Sequence, residues 1–440
     1  MTEVVRNRVV SNTIANYVGA AVIVAVPILT LPTYLNQLGN VQWALVGFVA
    51  TLQSLLTVLD AGMSQVLVRE FAIRLTGTVR RAAPSAARLL ASCERFYFLL
   101  GICAAAILLV LSYPISNYWL NVSADTQHLG RLAVIGAGVL CALQLLGVLY
   151  RGVLIAAQDQ ARLNLVLSAG SILRYGGGAL AVALSPTIQT YLVWHILSFA
   201  LEVLVRCRLA WRTVGGRPPS VTEAHSEIRG VLGGMGIWTF AAMIGAISAQ
   251  MDKSILAAMR PIGELASYFV ASQLAAGAIQ LFYPVTTAML PVLIQPARSA
   301  RDLFLTHLKM AAVLLLICGF IAGFMLIFGW DTIAWWIGEQ RAADVVPLLG
   351  ILLSGVGCNA LANIGYINWL AGDRRWRLLT ANSAALLVVC ALVPLLVSRI
   401  GVTGAAIAWS LGQFLTLIIS LDWIGNTFKR RRTSPLRDKE

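Results

Sequence analysis

The hydrophobic residues of this chain lie in long runs separated by short polar segments, without the strict alternation of a half-buried strand. A helix that crosses a bilayer needs about 20 mostly apolar residues. Runs of that length recur from one end of the chain to the other. They predict twelve transmembrane helices, near 9–35, 41–67, 96–118, 130–154, 162–184, 187–210, 230–255, 264–294, 304–328, 345–370, 377–398 and 402–426.

Composition gives the same class of protein. Hydrophobic residues make up 58% of the 440 residues and charged residues 12%, whereas about a quarter of the residues in soluble domains are charged. The two least apolar segments, 69–95 and 211–229, have the length of loops. The seven cysteines are scattered without a CxxC motif and predict neither a disulfide framework nor a metal site. The expected fold is an all-α polytopic membrane protein, and the first apolar run predicts a spanning helix, not a cleavable signal peptide.

The charge pattern orients these helices. The chain has 33 Lys and Arg residues against 19 Asp and Glu, a net charge of +14, and cytoplasmic loops of membrane proteins are enriched in Lys and Arg. With the N-terminus inside, 27 of the 33 cations flank the helices on the cytoplasmic side. Two others lie within spans. The opposite side has only Arg131, Arg260, Arg341 and Arg399. Both termini are therefore predicted to be cytoplasmic.

The loops and a faint repeat predict two halves. The largest outer loops, near 121–130 and 330–344, are too short to hold more than a surface helix. Segment 42–50 resembles segment 264–271, and each enters an even-numbered helix. Two six-helix lobes in parallel orientation, with the substrate path between them, are a common plan of transporters. The predicted organisation is an N-lobe at 1–212, a cytoplasmic linker at 213–229, a C-lobe at 230–428 and a basic tail at 429–440.

Ionisable residues inside apolar spans are costly and indicate function or pairing. Arg174 lies about 18 Å along its helix at about 1.5 Å per residue, too deep for its side chain to reach the interface easily. One interpretation is a cationic contact with phosphate in a water-filled cavity. The alternative is a structural ion pair with Glu202 on the next helix. Both interpretations are open at this stage.

Five further charged residues are candidates for the same site. Asp60 is either a protonatable coupling group, a counter-ion for a cavity arginine, or part of a polar network at a helix end. Asp252 and Lys253, near the outer end of helix seven, are adjacent and need not pair; they suit either a gate or one cleft-facing and one interface-facing side chain. Arg69 and Arg151 lie at cytoplasmic helix ends, where arginines also occur without a binding role.

Two pairs of amides have helical spacing. Asn12 and Asn16 are four residues apart on helix one, and Asn359 and Asn363 are four apart on helix ten, so each pair lies on one face. They could line a hydrophilic path for sugars. The alternative is that they form hydrogen bonds between helices, which is common in membrane proteins.

Signals for catalysis are missing from the sequence. It has no Walker loop, GxSxG, HExxH or Cys/His metal cluster, so neither an ATPase nor a hydrolase is expected, and no cofactor or metal is predicted. A transport function would depend on an ion gradient, on the membrane potential or on consumption of the product.

Three segments resemble a known family. They are LDAGMSQVLVREFA at 59–72, QMDKSIL at 250–256 with GELASY at 263–268, and GVTGAAIAW at 401–409. The sequence is similar at these places to the Wzx-type polysaccharide and O-antigen flippases, a branch of the multidrug/oligosaccharidyl-lipid/polysaccharide (MOP) superfamily. By position, Asp60, Arg69, Asp252 and Lys253 match the motifs.

The resemblance implies two six-helix lobes that alternate access and a cationic cavity for the pyrophosphate of an undecaprenyl-linked oligosaccharide. It implies as partners this lipid-linked substrate, membrane lipids, a coupling proton or sodium ion, and a polysaccharide polymerase with a chain-length regulator. A cation-coupled multidrug exporter of the same superfamily is the first rival, disfavoured by the intramembrane Arg and Lys. A membrane polysaccharide polymerase is the second, disfavoured by the short outer loops.

Overall fold

A computed structural model describes residues 3–60, 62–75, 82–216, 236–282, 284–286, 300–372 and 374–424. Throughout these residues the regular secondary structure is helical. Short 3-10 turns lie at Thr57–Asp60, Ala124–Thr126 and Ile262–Glu264, and π-helical turns at Ile115–Trp119 and Ile172–Gly176. The α-helices are α1 Glu3–Leu56, α2 Met63–Leu75, α3 Ala82–Pro114, α4 Gln127–Ala156, α5 Gln160–Ser171, α6 Gly177–Leu184, α7 Ile188–Thr213, α8 Ile237–Met259, α9 Leu265–Gln280, α10 Ala300–Ile337, α11 Glu339–Ala371, α12 Arg375–Ile400 and α13 Val402–Ser420.

Ten stretches of the described chain are long and apolar enough to cross a membrane. The first, Ala21–Asp60, has 40 residues, about twice the length that one crossing of a hydrocarbon core about 30 Å thick requires. The chain leaves the helical conformation within it at Gly39, where φ is +67°, so this stretch supplies two crossings. Helix α8, with 23 residues, also has spanning length. The described helices are thus consistent with the predicted twelve and confirm the predicted all-α, polytopic class.

The second predicted span, 41–67, is not one continuous helix. The α-helix ends at Leu56, a 3-10 turn follows at Thr57–Asp60, and α2 begins at Met63. Gly62 has φ +71°, a left-handed conformation that glycine adopts with little strain. The Asp60 carboxylate accepts hydrogen bonds from the backbone N–H and the hydroxyl of Ser64, so it caps the restarted helix.

Two segments predicted as loops are largely helical. Segment 69–95 contains the end of α2 and the start of α3 at Ala82. In segment 330–344, α10 continues to Ile337 and α11 begins at Glu339, with only Gly338, at φ +91°, between them. Hydropathy missed these extensions because a helix that continues past the hydrocarbon core no longer needs apolar residues. The predicted span 264–294 is described as α9 only to Gln280, and residues 287–294 lie outside the described part.

The chain divides into two compact units. The first comprises Met1–Thr239 with Pro261–Gly263, and the second comprises Phe240–Arg260 with Glu264–Glu440. The predicted lobe boundaries remain a prediction, because most of the predicted linker at 213–229 lies outside the described residues.

Small residues hold the helices of each unit close together. In the first unit, a Cβ on Gly101 of α3 would lie 3.0 Å from the Ala142 Cα on α4. In the second, a Cβ on Gly365 of α11 would lie 2.5 Å from the Ser420 carbonyl oxygen on α13. Close backbone approach of this kind is typical of helices packed within membranes.

Candidate functional site

Arg174 lies in a widened turn of the fifth predicted span. Helix α5 ends at Ser171, the π turn Ile172–Gly176 contains Arg174, and α6 continues from Gly177. The Trp194 indole on α7 donates a 2.8 Å hydrogen bond to the Leu173 carbonyl and occupies the space that a side chain on Gly177 would fill. The indole thus satisfies a carbonyl that the widened turn leaves free, and turns of this type recur at functional sites.

Arg174 and Arg206 share one carboxylate. Arg174 forms an ion pair with Glu202 Oε2. The sequence analysis gave this pair as the alternative to a contact with phosphate. Glu202 Oε1 lies 2.8 Å from Arg206 Nη2, one turn further along α7. Arg206 Nη1 also donates a 3.0 Å hydrogen bond to the Gly147 carbonyl on α4. Two guanidinium groups and one carboxylate leave this buried cluster with one excess positive charge.

Aromatic rings surround the two guanidinium groups. The Arg174 Cζ lies 4.0 Å from the centre of the Phe199 ring and the Arg206 Cζ lies 5.7 Å from it. On α7, the helix that also carries Phe199, His195 stacks on Tyr191 with ring centres 3.7 Å apart. The Tyr34 hydroxyl donates a 2.7 Å hydrogen bond to the Tyr175 carbonyl, inside the π turn. Rings stabilise cations at their faces and exclude water, which strengthens electrostatic interactions within the cluster.

Several buried polar atoms around the cluster have no protein partner. Within the described residues, Arg174 Nε, Arg206 Nε, His195 Nε2 and Ser171 Oγ are all buried without a hydrogen bond. Buried polar atoms are usually satisfied, so a group of four calls for water or a ligand. Because the guanidinium N–H groups can only donate, the cluster has more donors than acceptors, which suits an anion.

Arg151 and Arg69, the other predicted cations of the first unit, form no described ion pair with Glu202. Arg151, on α4, is exposed and lies one turn beyond Gly147, so it is on the face of α4 that meets Arg206. Arg69, on α2, is also exposed, and no ion pair joins it to another described residue. The described structure therefore brings Arg151 towards the Arg174–Glu202–Arg206 cluster and leaves Arg69 outside it.

Asp60 belongs to a network of hydroxyl groups. It accepts hydrogen bonds from the Tyr97 hydroxyl on α3 at 2.5 Å and from the Ser64 hydroxyl at 2.7 Å. Among the described residues it pairs with no arginine. The geometry corresponds to the helix-end polar network that was one of the alternatives for this residue.

Asp252 and Lys253 do pair. The Asp252 carboxylate is buried on α8 and accepts a 2.5 Å hydrogen bond from the Tyr268 hydroxyl on α9. Lys253 Nζ lies 3.4 Å from both carboxylate oxygens and 3.3 Å from the Ala249 carbonyl. The lysine side chain bends back along its own helix, which is how two adjacent helical residues come to interact.

The amides of the second unit interact with each other and with α13. Asn359 donates a 2.8 Å hydrogen bond to the Gln413 side chain, and Asn363 donates one of 2.8 Å to the Asn359 carbonyl. The Asn359–Gln413 bond is interhelical, as in the alternative to a sugar path, whereas the Asn363 bond lies within α11. Asn12 and Asn16 are on α1, but their side chains lie outside the described part of the structure.

Sequence reasoning missed Arg206, which it counted among the cytoplasmic flanking cations. The side chain is buried, with a relative accessibility of 5%, against 18% for Arg174. Its spacing of four residues from Glu202 was the available signal, because such pairs meet on a helix face. Nothing in the sequence pattern identified Gly147 or Gly170, which make room for the Arg206 and Glu202 side chains.

Comparisons with known proteins define the class. No protein-family model matches the chain. A multidrug resistance MATE family transporter of the MOP superfamily, solved in an inward-facing conformation, superposes with a TM-score of 0.71 at 14% identity over 94% of this chain and 99% of that one. The lipid II flippase MurJ, in an inward closed conformation, superposes with a TM-score of 0.73 at 12% identity over 95% and 89%. The chain is a multi-pass membrane protein with the fold of the MOP-superfamily transporters.

One relative is similar to this chain along nearly its whole length. The chain is 21% identical over 416 residues to a Shigella flexneri protein named "Putative O-antigen transporter", covering 94% of this chain and 97% of that protein. The resemblance to Wzx-type flippases seen in the motifs is confirmed by this similarity along nearly the whole chain.

Proposed function

We propose that this protein is a flippase that moves an undecaprenyl-pyrophosphate-linked oligosaccharide from the cytoplasmic to the outer leaflet of the bacterial inner membrane by alternating access. Both termini are cytoplasmic in this proposal. Full-length similarity to a protein named as an O-antigen transporter supports it.

The observation that carries the proposal is the pair of arginines on one carboxylate. Arg174 and Arg206 present more N–H donors than Glu202 and the Gly147 carbonyl can accept. Guanidinium groups bind phosphate oxygens in bidentate geometry, and charge-assisted bonds of this kind are the strong ones. Arg174 is the more accessible of the two, so it is the proposed contact for the pyrophosphate.

The other predicted residues have supporting roles in this proposal. Arg151 and Arg69, exposed near the cytoplasmic ends of their helices, attract the headgroup as it approaches. Lys253 is a further cationic contact, and Asp252 and Asp60 are the carboxylates available for a coupling ion. Asn359 and Asn363, with Asn12 and Asn16, supply polar side chains for the sugars. A polysaccharide polymerase and a chain-length regulator are the proposed downstream partners.

The test uses a strain in which the gene is deleted and variants are supplied on a plasmid. We expect Arg174→Ala to lower long surface polysaccharide by about tenfold or more, because a hydrogen bond to a charged group contributes about 1.5–3 kcal/mol. Arg174→Lys should keep part of the activity, since it keeps the charge. Arg162→Ala is the matched control: this arginine, on the same predicted span, is highly exposed, and its ion-pair partner among the described residues is Asp159, three residues away. Normal polysaccharide from a folded Arg174→Ala protein would contradict the proposed role.

The deletion strain also separates the proposal from its rivals. Flippase loss should leave lipid-linked precursor on the cytoplasmic leaflet and no long glycan on the surface. Polymerase loss would leave single-repeat glycan at the surface. Drug sensitivity with normal glycan would indicate a multidrug exporter, which shares the fold.

A further inference from the structure

The Glu202 carboxylate lies where an anion would lie. It contacts Arg174 through one oxygen and Arg206 through the other, which is the arrangement a bridging phosphate would adopt. Its side chain has a relative accessibility of 3%. A carboxylate from the chain itself therefore fills the position between the two guanidinium groups.

The two arginines hold this carboxylate differently. Arg206 has a second partner on another helix, the Gly147 carbonyl at 3.0 Å, and a side chain on Gly147 would collide with its guanidinium group. Arg174 has no described hydrogen-bond partner other than Glu202, and its side chain is the more accessible. Breaking the Arg174–Glu202 contact would thus leave Glu202 paired with an anchored arginine, and Arg174 free to take another anion.

Gly170 leaves room for the Glu202 carboxylate between the two arginines. A Cβ on Gly170 of α5 would lie 2.6 Å from the Glu202 Cδ, closer than real Cβ contacts come. The carboxylate therefore packs directly on the α5 backbone, one turn before Arg174. Any side chain at position 170 would displace the carboxylate, and it can move because it is the end of a flexible side chain.

We propose that Glu202 is a placeholder for the substrate's phosphate: it pairs with Arg174 before the pyrophosphate binds, releases Arg174 to the pyrophosphate on binding, and pairs with Arg174 again as the pyrophosphate leaves. This rests on the proposed function. The carboxylate keeps the arginines from remaining unpaired in a low-dielectric site, where an uncompensated charge is costly. It also limits affinity, so that a substrate bound on one side of the membrane can leave on the other.

The test is calorimetric titration of the purified protein in detergent with inorganic pyrophosphate. Glu202→Gln removes the competing charge, so we expect pyrophosphate to bind at least about tenfold more tightly, a change of about 1.4 kcal/mol. Gly170→Ala expels the carboxylate without changing any charge, and should tighten binding in the same direction. Both variants should support less surface polysaccharide than the wild type, because release is slower. A structural defect would weaken binding and activity together.

Matched controls exist for both variants. Glu264→Gln removes the carboxylate from the exposed Arg260–Glu264 pair, whose N–O distance of 2.7 Å is similar to that of the Arg206–Glu202 pair. Gly350→Ala adds a methyl group to a helical glycine with open space around it. Neither should change the affinity for pyrophosphate. Size-exclusion elution at the wild-type position shows that each variant is folded.

The outcomes separate the placeholder from the proposed function. If Arg174→Gln abolishes pyrophosphate binding while folded Glu202→Gln and Gly170→Ala bind like the wild type, the placeholder is wrong and the anion site stands. If Arg174→Gln binds pyrophosphate as the wild type does, the anion site itself is wrong. Titration with phosphatidylglycerol in mixed micelles shows whether the site binds a membrane phospholipid instead. If Glu202→Gln raises the affinity for this phosphodiester and not for pyrophosphate, the site binds a phospholipid headgroup and the proposal is overturned.

Discussion

Tyr97, on α3, donates a 2.5 Å hydrogen bond to the carboxylate of Asp60, the last residue of the 3-10 turn before α2. The same carboxylate caps α2 through Ser64. One side chain therefore joins the interruption of the second predicted span to the helix that follows it, and satisfies polar groups that the interruption would otherwise leave without partners.

Tyr97→Phe should destabilise the protein by about 1.5–3 kcal/mol, because it removes a hydrogen bond to a partly buried carboxylate and leaves only the Ser64 donors. The measurement is thermal unfolding of the purified protein in detergent. Tyr118→Phe removes a hydroxyl from a tyrosine that is 81% exposed and should leave the unfolding temperature unchanged. Equal unfolding temperatures for the two variants would show that Asp60 does not depend on Tyr97.

Arg206→Ala should reduce the yield of folded protein far more than Arg174→Ala does. Removing one partner of a buried ion pair costs about 3–5 kcal/mol, and Arg206 is the more buried and has the additional Gly147 contact. Fluorescence-detected size-exclusion chromatography of fusions to a fluorescent protein measures the yield. Arg260→Ala, in an exposed pair with Glu264, should cost at most about 1 kcal/mol. A larger loss of folded protein for Arg174→Ala than for Arg206→Ala would mean that Arg174 is the anchored arginine and Arg206 the one available to the pyrophosphate.

Gly365→Ala should destabilise the second unit by about 1–3 kcal/mol, the usual cost of overpacking. The added methyl group would meet the Ser420 carbonyl oxygen at 2.5 Å and its Cα at 2.8 Å, and backbone cannot move aside as a side chain can. Gly350→Ala lies on the same helix in open space and should be neutral or slightly stabilising. Thermal unfolding compares the two, and similar curves would mean that α11 and α13 are less closely packed than described.

Asn359→Ala should lower stability by about 0.6 kcal/mol, the average for hydrogen bonds between membrane helices, because its described partners are Gln413 and Asn363. Surface polysaccharide should persist if the amide only joins helices. Loss of polysaccharide with the folded yield intact would favour the alternative, a sugar path. The double variant Asn359→Ala with Gln413→Ala tests the pairing, since two residues in contact should not give additive losses.

Reporter fusions test the predicted orientation. Alkaline phosphatase is active only outside the cytoplasm, so fusions after Thr126 and Gly338 should be active. Fusions after Gly216 and Gly372 should be inactive, because these positions adjoin the Arg-rich segments. Activity at Gly216 or Gly372 would contradict the cytoplasmic assignment of the cations.

Most of the architecture followed from the sequence, since lipid imposes a simple rule. Each crossing of a helical membrane protein needs about 20 mostly apolar residues, and Arg and Lys are enriched on the cytoplasmic side. Hydropathy and charge are properties of local sequence, so they predicted the all-α, polytopic class and a set of spans with which the described helices are consistent. The motifs near Asp60 and Asp252 indicated the family resemblance. Arg174 and Glu202 were identified as candidates for the same reason: a charge in an apolar run is conspicuous.

The arrangement of the candidate site depended on tertiary structure. Whether Arg174 faces an anion cavity or pairs with Glu202 is decided by the rotation of two helices, and the π turn at Ile172–Gly176 shifts that rotation without any signal in hydropathy. Gly170 and Gly147 matter only because of what packs on them. The sequence by itself determined that the chain is an all-α protein that crosses the membrane many times, and which side chains are costly there. Only the packing of α4, α5 and α7 decided which of those side chains share a carboxylate, because pairing depends on distances between helices that local sequence does not encode.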